Sequence, residues 1–203
     1  MADLHALGED FLAWADTFNV GLFPWQSRVL GEACRRADGW FVHRLAGISV
    51  PRGDGKSYAA SAVGAWRFTC GPQPQLVESC ALDLDGSKVI LDHAKTIFRS
   101  HRDLAAAVEL RADSIIIPST GSRWLIRSRE HTASRGLHPD VVLYDEVGWA
   151  KDDELFASLL AAQASVPDAF MLVVSTVGRS KSGPLWRIKE LAEQEIAEAG
   201  GAR

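Results

Sequence analysis

The chain has 203 residues, 47% apolar and 24% charged, the balance of an ordinary globular protein with one well-buried domain. A net charge of −4, from 22 basic and 26 acidic residues, excludes a global polycation, so any nucleic-acid contact has to come from a local patch. No apolar run approaches the roughly 20 residues that span a bilayer, the start Met1-Ala2-Asp3 is unlike a secretory signal, and Cys34, Cys70 and Cys80, lacking ligand spacing, fit reduced thiols in a cytoplasm, of the cell or of an infected host.

Apolar residues at helical spacing (Leu7, Phe11, Leu12, Trp14, Ala15, Phe18) predict an amphipathic helix over Leu7 to Phe18. Pro24 suits the first turn of a second helix running to Ala33. Leu45 to Val50 predicts a short apolar strand that empties into a glycine-rich turn, with a helix from Ser57 to Thr69 behind it. A strand over Gln75 to Ala81 and a helix over Gly86 to Arg99 come next. Ser114 to Ile117 and Arg123 to Ile126 flank a Pro-Ser-Thr-Gly-Ser turn and predict a β-hairpin. Val141 to Tyr144 and Phe170 to Val174 are continuous apolar runs, as in central strands covered on both faces. After a polar break from Gly178 to Gly183, Pro184 to Ala199 predicts a charged terminal helix. Strands alternating with helices point to a doubly wound α/β domain, with a mostly parallel central sheet flanked by helices.

The chemistry concentrates in Val50-Pro51-Arg52-Gly53-Asp54-Gly55-Lys56-Ser57. A strand, a glycine turn and a helix N-terminus in that order cradle phosphate: backbone N–H groups face phosphate oxygens and the helix adds its positive dipole end. Lys56 would reach the β- and γ-phosphates and Ser57 would hold Mg²⁺, with Tyr58 next in the ATP-binding set. In the usual pattern, G-x-x-x-x-G-K-[ST], a glycine stands where this chain has Val50. The supporting motif is Val141-Val142-Leu143-Tyr144-Asp145-Glu146, an apolar strand ending in two carboxylates. Asp145 suits the metal and Glu146 suits a general base that polarises the attacking water.

Other positions carry two readings each. Ser175 and Thr176 end an apolar strand, where hydroxyls sense the γ-phosphate or merely cap the next turn. Gln26 has the donor and acceptor that match an adenine edge, and Trp25 beside it is a core anchor or packs near the base. Arg52, inside the turn, is placed to contact phosphate. Arg135 precedes the carboxylate strand and reads as an arginine finger acting in trans, or as a surface salt bridge. Arg123, Arg127 and Arg129 with Trp124 form a basic segment that meets nucleic acid or protects a solvated hairpin edge. The six histidines show no metal-ligand spacing.

Taken in order, Trp25-Gln26, Arg52-Gly53-Asp54-Gly55-Lys56-Ser57, Val142-Leu143-Tyr144-Asp145-Glu146 and Ser175-Thr176 resemble the ATPase domain of tailed-bacteriophage large terminase subunits. The Arg-x-x-Gly-Lys-Ser form and Ser134-Arg135-Gly136-Leu137-His138-Pro139-Asp140 are the more specific parts, and the resemblance runs from about Pro24 to about Gly183. It implies an ASCE-type P-loop fold, with a strand inserted between the phosphate-turn strand and the carboxylate strand. It implies a P-loop ATPase domain over 1–177 and a lid or linker over 178–203. Family members usually continue into a nuclease domain; the 203 residues, an excised ATPase domain or a naturally short version, depart from that pattern, and no nuclease activity is expected of them. It further implies ATP and Mg²⁺ as ligands, and Glu146, Lys56, Arg135 (in trans), Arg52 and Thr176 as the catalytic set. The partners it implies are double-stranded viral DNA, a portal protein, a small terminase subunit and copies of the chain. Those copies form a ring, a pentamer by resemblance, with a monomer as the form alone, in the host cytoplasm and away from membranes. The competing readings are a P-loop helicase or translocase of another class, and a nucleotide-binding assembly module without significant turnover.

Overall fold

The computed structural model describes residues 10–128, 136–150, 152–177 and 183–200. In chain order the elements are α1 (Phe11–Thr17), α2 (Pro24–Ala33), β1 (Arg36–Ala37), β2 (Trp40–Phe41), β3 (Leu45–Ser49), α3 (Lys56–Cys70), β4 (Leu76–Ala81), α4 (Leu84–Ser100), α5 (Arg102–Ala107), β5 (Glu109–Leu110), β6 (Ser114–Ile117), β7 (Ser122–Ser128), β8 (Val141–Asp145), α6 (Glu154–Gln163), β9 (Phe170–Ser175) and α7 (Pro184–Gly200). A short 3-10 turn, Val147–Trp149, follows β8. Among the described residues, no helix is long and apolar enough to cross a membrane.

The main sheet has seven strands in the order β3-β9-β8-β4-β7-β6-β5. From β3 to β7 the neighbours are parallel, while β6 pairs antiparallel with β7 and with β5. The mostly parallel sheet and the β6–β7 hairpin are as expected, and β9 does lie between β3 and β8. That insertion matters because it places the phosphate turn one strand away from the carboxylates.

Period-two alternation explains why the central strands read as unbroken apolar runs. Val141 and Leu143 of β8, with Leu172 and Val174 of β9, bury on the face covered by α3 and α4, and α1 packs on α3. Val142, Tyr144, Met171 and Val173 bury on the other face with Leu155, Phe156 and Leu159 of α6 and Ile188 of α7. Both faces are dry, so no polar position interrupts the run. Helix α3 crosses the sheet at Gly64, where a Cβ would come within 2.4 Å of Trp124 and 2.6 Å of Leu143; only glycine allows the approach.

The expected basic segment is buried at Trp124 and Arg127. Trp124 is fully buried, donating its indole N–H to Ser79 Oγ at 2.6 Å, and Arg127 is 7% exposed. Parallel pairing sets Cys80 opposite Arg127, which brings Glu78 of the same face into diagonal reach. Arg127 bonds Glu78 Oε2 at 3.3 Å and Ser158 Oγ of α6 at 3.1 Å. Burial pushes the Glu78 carboxyl up, against the opposing pull of Arg127. Arg123 is exposed, and Arg129 lies outside the described residues.

Candidate nucleotide site

Val50 donates its N–H to Ser175 O at 3.1 Å, so it extends the β3–β9 ladder by one residue. Left-handed backbone in the turn falls at Gly53 (φ 94°) and Gly55 (φ 75°), not at Val50. The missing first glycine therefore costs nothing in this geometry. Gly55 is required twice, since a Cβ there would also meet Gln26 Nε2 at 2.9 Å. It is the N-cap of α3, and it supplies no side chain to cap the first helical N–H groups, which stay available to an anion.

Lys56 and Ser57 open α3 and face the end of β8. Lys56 is 9% exposed; its Nζ lies 2.9 Å from Glu146 Oε1 and 4.0 Å from Asp145 Oδ1. The Ser57 hydroxyl donates to Asp145 Oδ2. Asp145 is 4% exposed, and burial raises its pKa against the pull of Ser57 and Lys56. Burial also works to raise Glu146, but Lys56 and Thr176 outweigh it and hold that carboxyl below its usual range. The adjacent carboxylates are thus pushed in opposite directions: at the buried one burial outweighs the pull of Ser57 and Lys56, and at the half-buried one it does not.

That difference fits a divalent cation. Ser57 and Asp145 supply hard oxygen donors at one point, and a cation there would offset the cost of burying Asp145. Among the described residues no cluster of three or more His, Cys, Asp or Glu is placed to hold a metal alone. An ion at Ser57 and Asp145 would have to be completed by water and phosphate, as Mg²⁺ prefers.

No protein-family model matches the chain, and no curated protein matches it. Solved structures do. The large terminase of bacteriophage HK97 is similar with a TM-score of 0.75, over 95% of this chain and 41% of its own, at 19% identity. The large terminase ATPase domain of Thermus phage P74-26 gives 0.61 over 81% of this chain and 68% of its own, at 17% identity. A large terminase from a thermophilic bacteriophage, in complex with ADP, gives 0.53 over 76% and 39%, at 13% identity. The fold is that of a large-terminase ATPase domain. This chain spans 41% of the length of the HK97 protein.

Within this terminase ATPase fold the sequence candidates divide. Gly53, Asp54, Gly55, Lys56, Ser57, Asp145 and Glu146 converge, with Thr176 bonded to Glu146. Arg52 is exposed at the turn, and Arg135 lies outside the described residues. Gln26 reaches the turn but is 1% exposed, and its amide is engaged inside the protein. Its Oε1 accepts from Phe23 N–H at 2.8 Å and its Nε2 donates to Gly55 O at 3.1 Å. Instead of an amide open to adenine, the structure shows one that ties α2 to the phosphate turn. Trp25 is half-buried against the core, the anchor reading of the two. Tyr58 points toward α4, with its ring 5.8 Å from His93 in an edge-on contact.

Two aromatic residues near the site are not among the sequence candidates. Phe23 is 55% exposed, with its ring 3.5 Å from where a Gly55 Cβ would stand. Trp149 reaches back to Thr176 from the 3-10 turn. Glu146 itself adopts φ 56° and ψ 31°, left-handed for a residue with a Cβ, at a cost of about 1–3 kcal/mol. Its N–H, donated to Val174 O at 2.9 Å and shared with Asp145 Oδ1 at 2.8 Å, helps to hold that conformation.

Proposed function

We propose that this chain is the ATPase domain of a viral DNA-packaging motor, hydrolysing ATP to drive double-stranded DNA into a procapsid. One observation carries the reading. Elements far apart in sequence bring a phosphate-turn lysine to 2.9 Å from Glu146 and a serine hydroxyl onto Asp145, in a fold shared with terminase ATPases.

In this reading the N–H groups of the Gly53–Gly55 turn and of the start of α3 hold the phosphates. Lys56 leaves Glu146 for the β- and γ-phosphate oxygens, which frees Oε1 to face the attacking water. Glu146 takes a proton from that water as its oxygen bonds the γ-phosphorus, and the bond from phosphorus to the ADP oxygen breaks. Ser57 and Asp145 would hold Mg²⁺, whose charge offsets that of the phosphates. Phe23 offers a ring to the base, Gln26 fixes the turn from behind, Arg52 contacts phosphate at the mouth, and Arg135 acts in trans. The lid over 178–203, the ring of copies, the portal protein, the small terminase subunit and the host cytoplasm belong to the same proposal.

The lysine provides the test. Lys56→Ala should weaken Mg-ATP binding about 10–100-fold, the value of one or two charge-assisted hydrogen bonds, when measured by titration calorimetry. Unchanged affinity would mean that nucleotide binds elsewhere.

A further inference from the structure

Trp149 ends the 3-10 turn after β8, is 42% exposed, and has a place in none of the motifs above. Its indole N–H donates to Thr176 Oγ1 at 2.9 Å, and Thr176 Oγ1 donates to Glu146 Oε2 at 3.2 Å. An indole nitrogen can only donate, and a threonine hydroxyl has a single proton. With a lone pair taken by the indole, that proton is directed at Glu146. The two carboxylate oxygens are then divided, Oε1 to Lys56 and Oε2 to Thr176. A second rung, Gly148 N–H to Ser175 Oγ at 2.9 Å, fastens the same turn to the end of β9. The contact comes from the fold, because Trp149 and Thr176 end different strand–turn units and meet only when β8 and β9 pair.

We propose that Trp149 is a positioning residue for the general base: its indole N–H orients the Thr176 hydroxyl, which keeps Glu146 aimed at the phosphate turn. The role rests on the ATPase reading. When Lys56 transfers to phosphate, Glu146 loses its bond at Oε1 and is held by Thr176, through its backbone N–H and through the hydroxyl that Trp149 orients. Trp149 touches neither nucleotide nor water in this scheme, so its effect should fall on turnover and not on binding.

Trp149→Phe keeps the ring and removes the donor. It should lower kcat for ATP hydrolysis about 10-fold, the scale expected of a misaligned catalytic group, with KM for ATP within about twofold. Thr176→Val should lower kcat at least as far, Thr176→Ser should restore most of it, and Trp149→Phe added to Thr176→Val should cost nothing more. A Trp149→Phe enzyme within twofold of wild-type kcat overturns the proposal, as do losses that multiply independently in the double variant. A wild-type chain without turnover would instead overturn the ATPase reading, and this role with it.

Discussion

Glu146→Gln should lower ATP turnover by about 10²–10⁴-fold, the usual contribution of a positioned general base, while Mg-ATP binding stays close to wild type. The substitution preserves shape, and the amide still accepts from Thr176, now 3.2 Å from Glu146 Oε2. What it removes is the capacity to take a proton and the charge that draws Lys56 to 2.9 Å. Asp145 is no substitute base, since it is 4% exposed and engaged by Ser57. Phosphate release and calorimetry on the same preparation separate the two effects. Retained turnover would take the general-base role away from Glu146. A binding module without turnover would show equal affinity in both proteins and phosphate release in neither.

The second large effect is on stability. Asp168→Ala should destabilise the chain by about 3–5 kcal/mol, read as a lowered urea midpoint, because it strands buried charge. Arg36 and Arg67 both reach Asp168 Oδ2, at 2.8 and 2.9 Å, with side chains only 5% and 2% exposed. Asp168 Oδ1 also accepts Phe41 N–H at 3.1 Å. The two guanidinium groups lie 4.6 and 4.9 Å from the Phe41 ring, which stacks on Phe170 at 4.5 Å. One carboxylate therefore fixes β2 and α3 to the start of β9. Removing Glu109, whose exposed pair with Arg111 is solvated, should cost no more than about 1 kcal/mol. A loss at Asp168 no larger than that would refute the account of the cluster.

The parts legible in the sequence were those whose constraints are local. Gly53 and Gly55 are demanded by backbone conformation, and Asp145-Glu146 is marked by the apolar strand before it. The central strands announced themselves because both faces are buried. Helix α6 went unread: Leu155, Phe156 and Leu159 do form a buried face, but Leu160 and three alanines blur its polar side. Strands β1, β2 and β5 are two residues each, too short for any period. The reading of Arg127 as a surface charge failed for a tertiary reason, since the pairing of β7 with β4 sets it against Glu78. Gln26 and Trp149 share that cause. Their partners, Gly55 and Thr176, are 29 and 27 residues away along the chain, and only tertiary packing brings them within reach.

Metal dependence tests the central claim most directly. The purified chain should release phosphate from ATP when Mg²⁺ is present, and removing the metal with a chelator should bring the rate to background, as the proposed metal site at Ser57 and Asp145 requires. Restoring Mg²⁺ should restore the rate. Phosphate release that persists at the same rate in chelator, or that never exceeds background with Mg²⁺ supplied, would contradict the account.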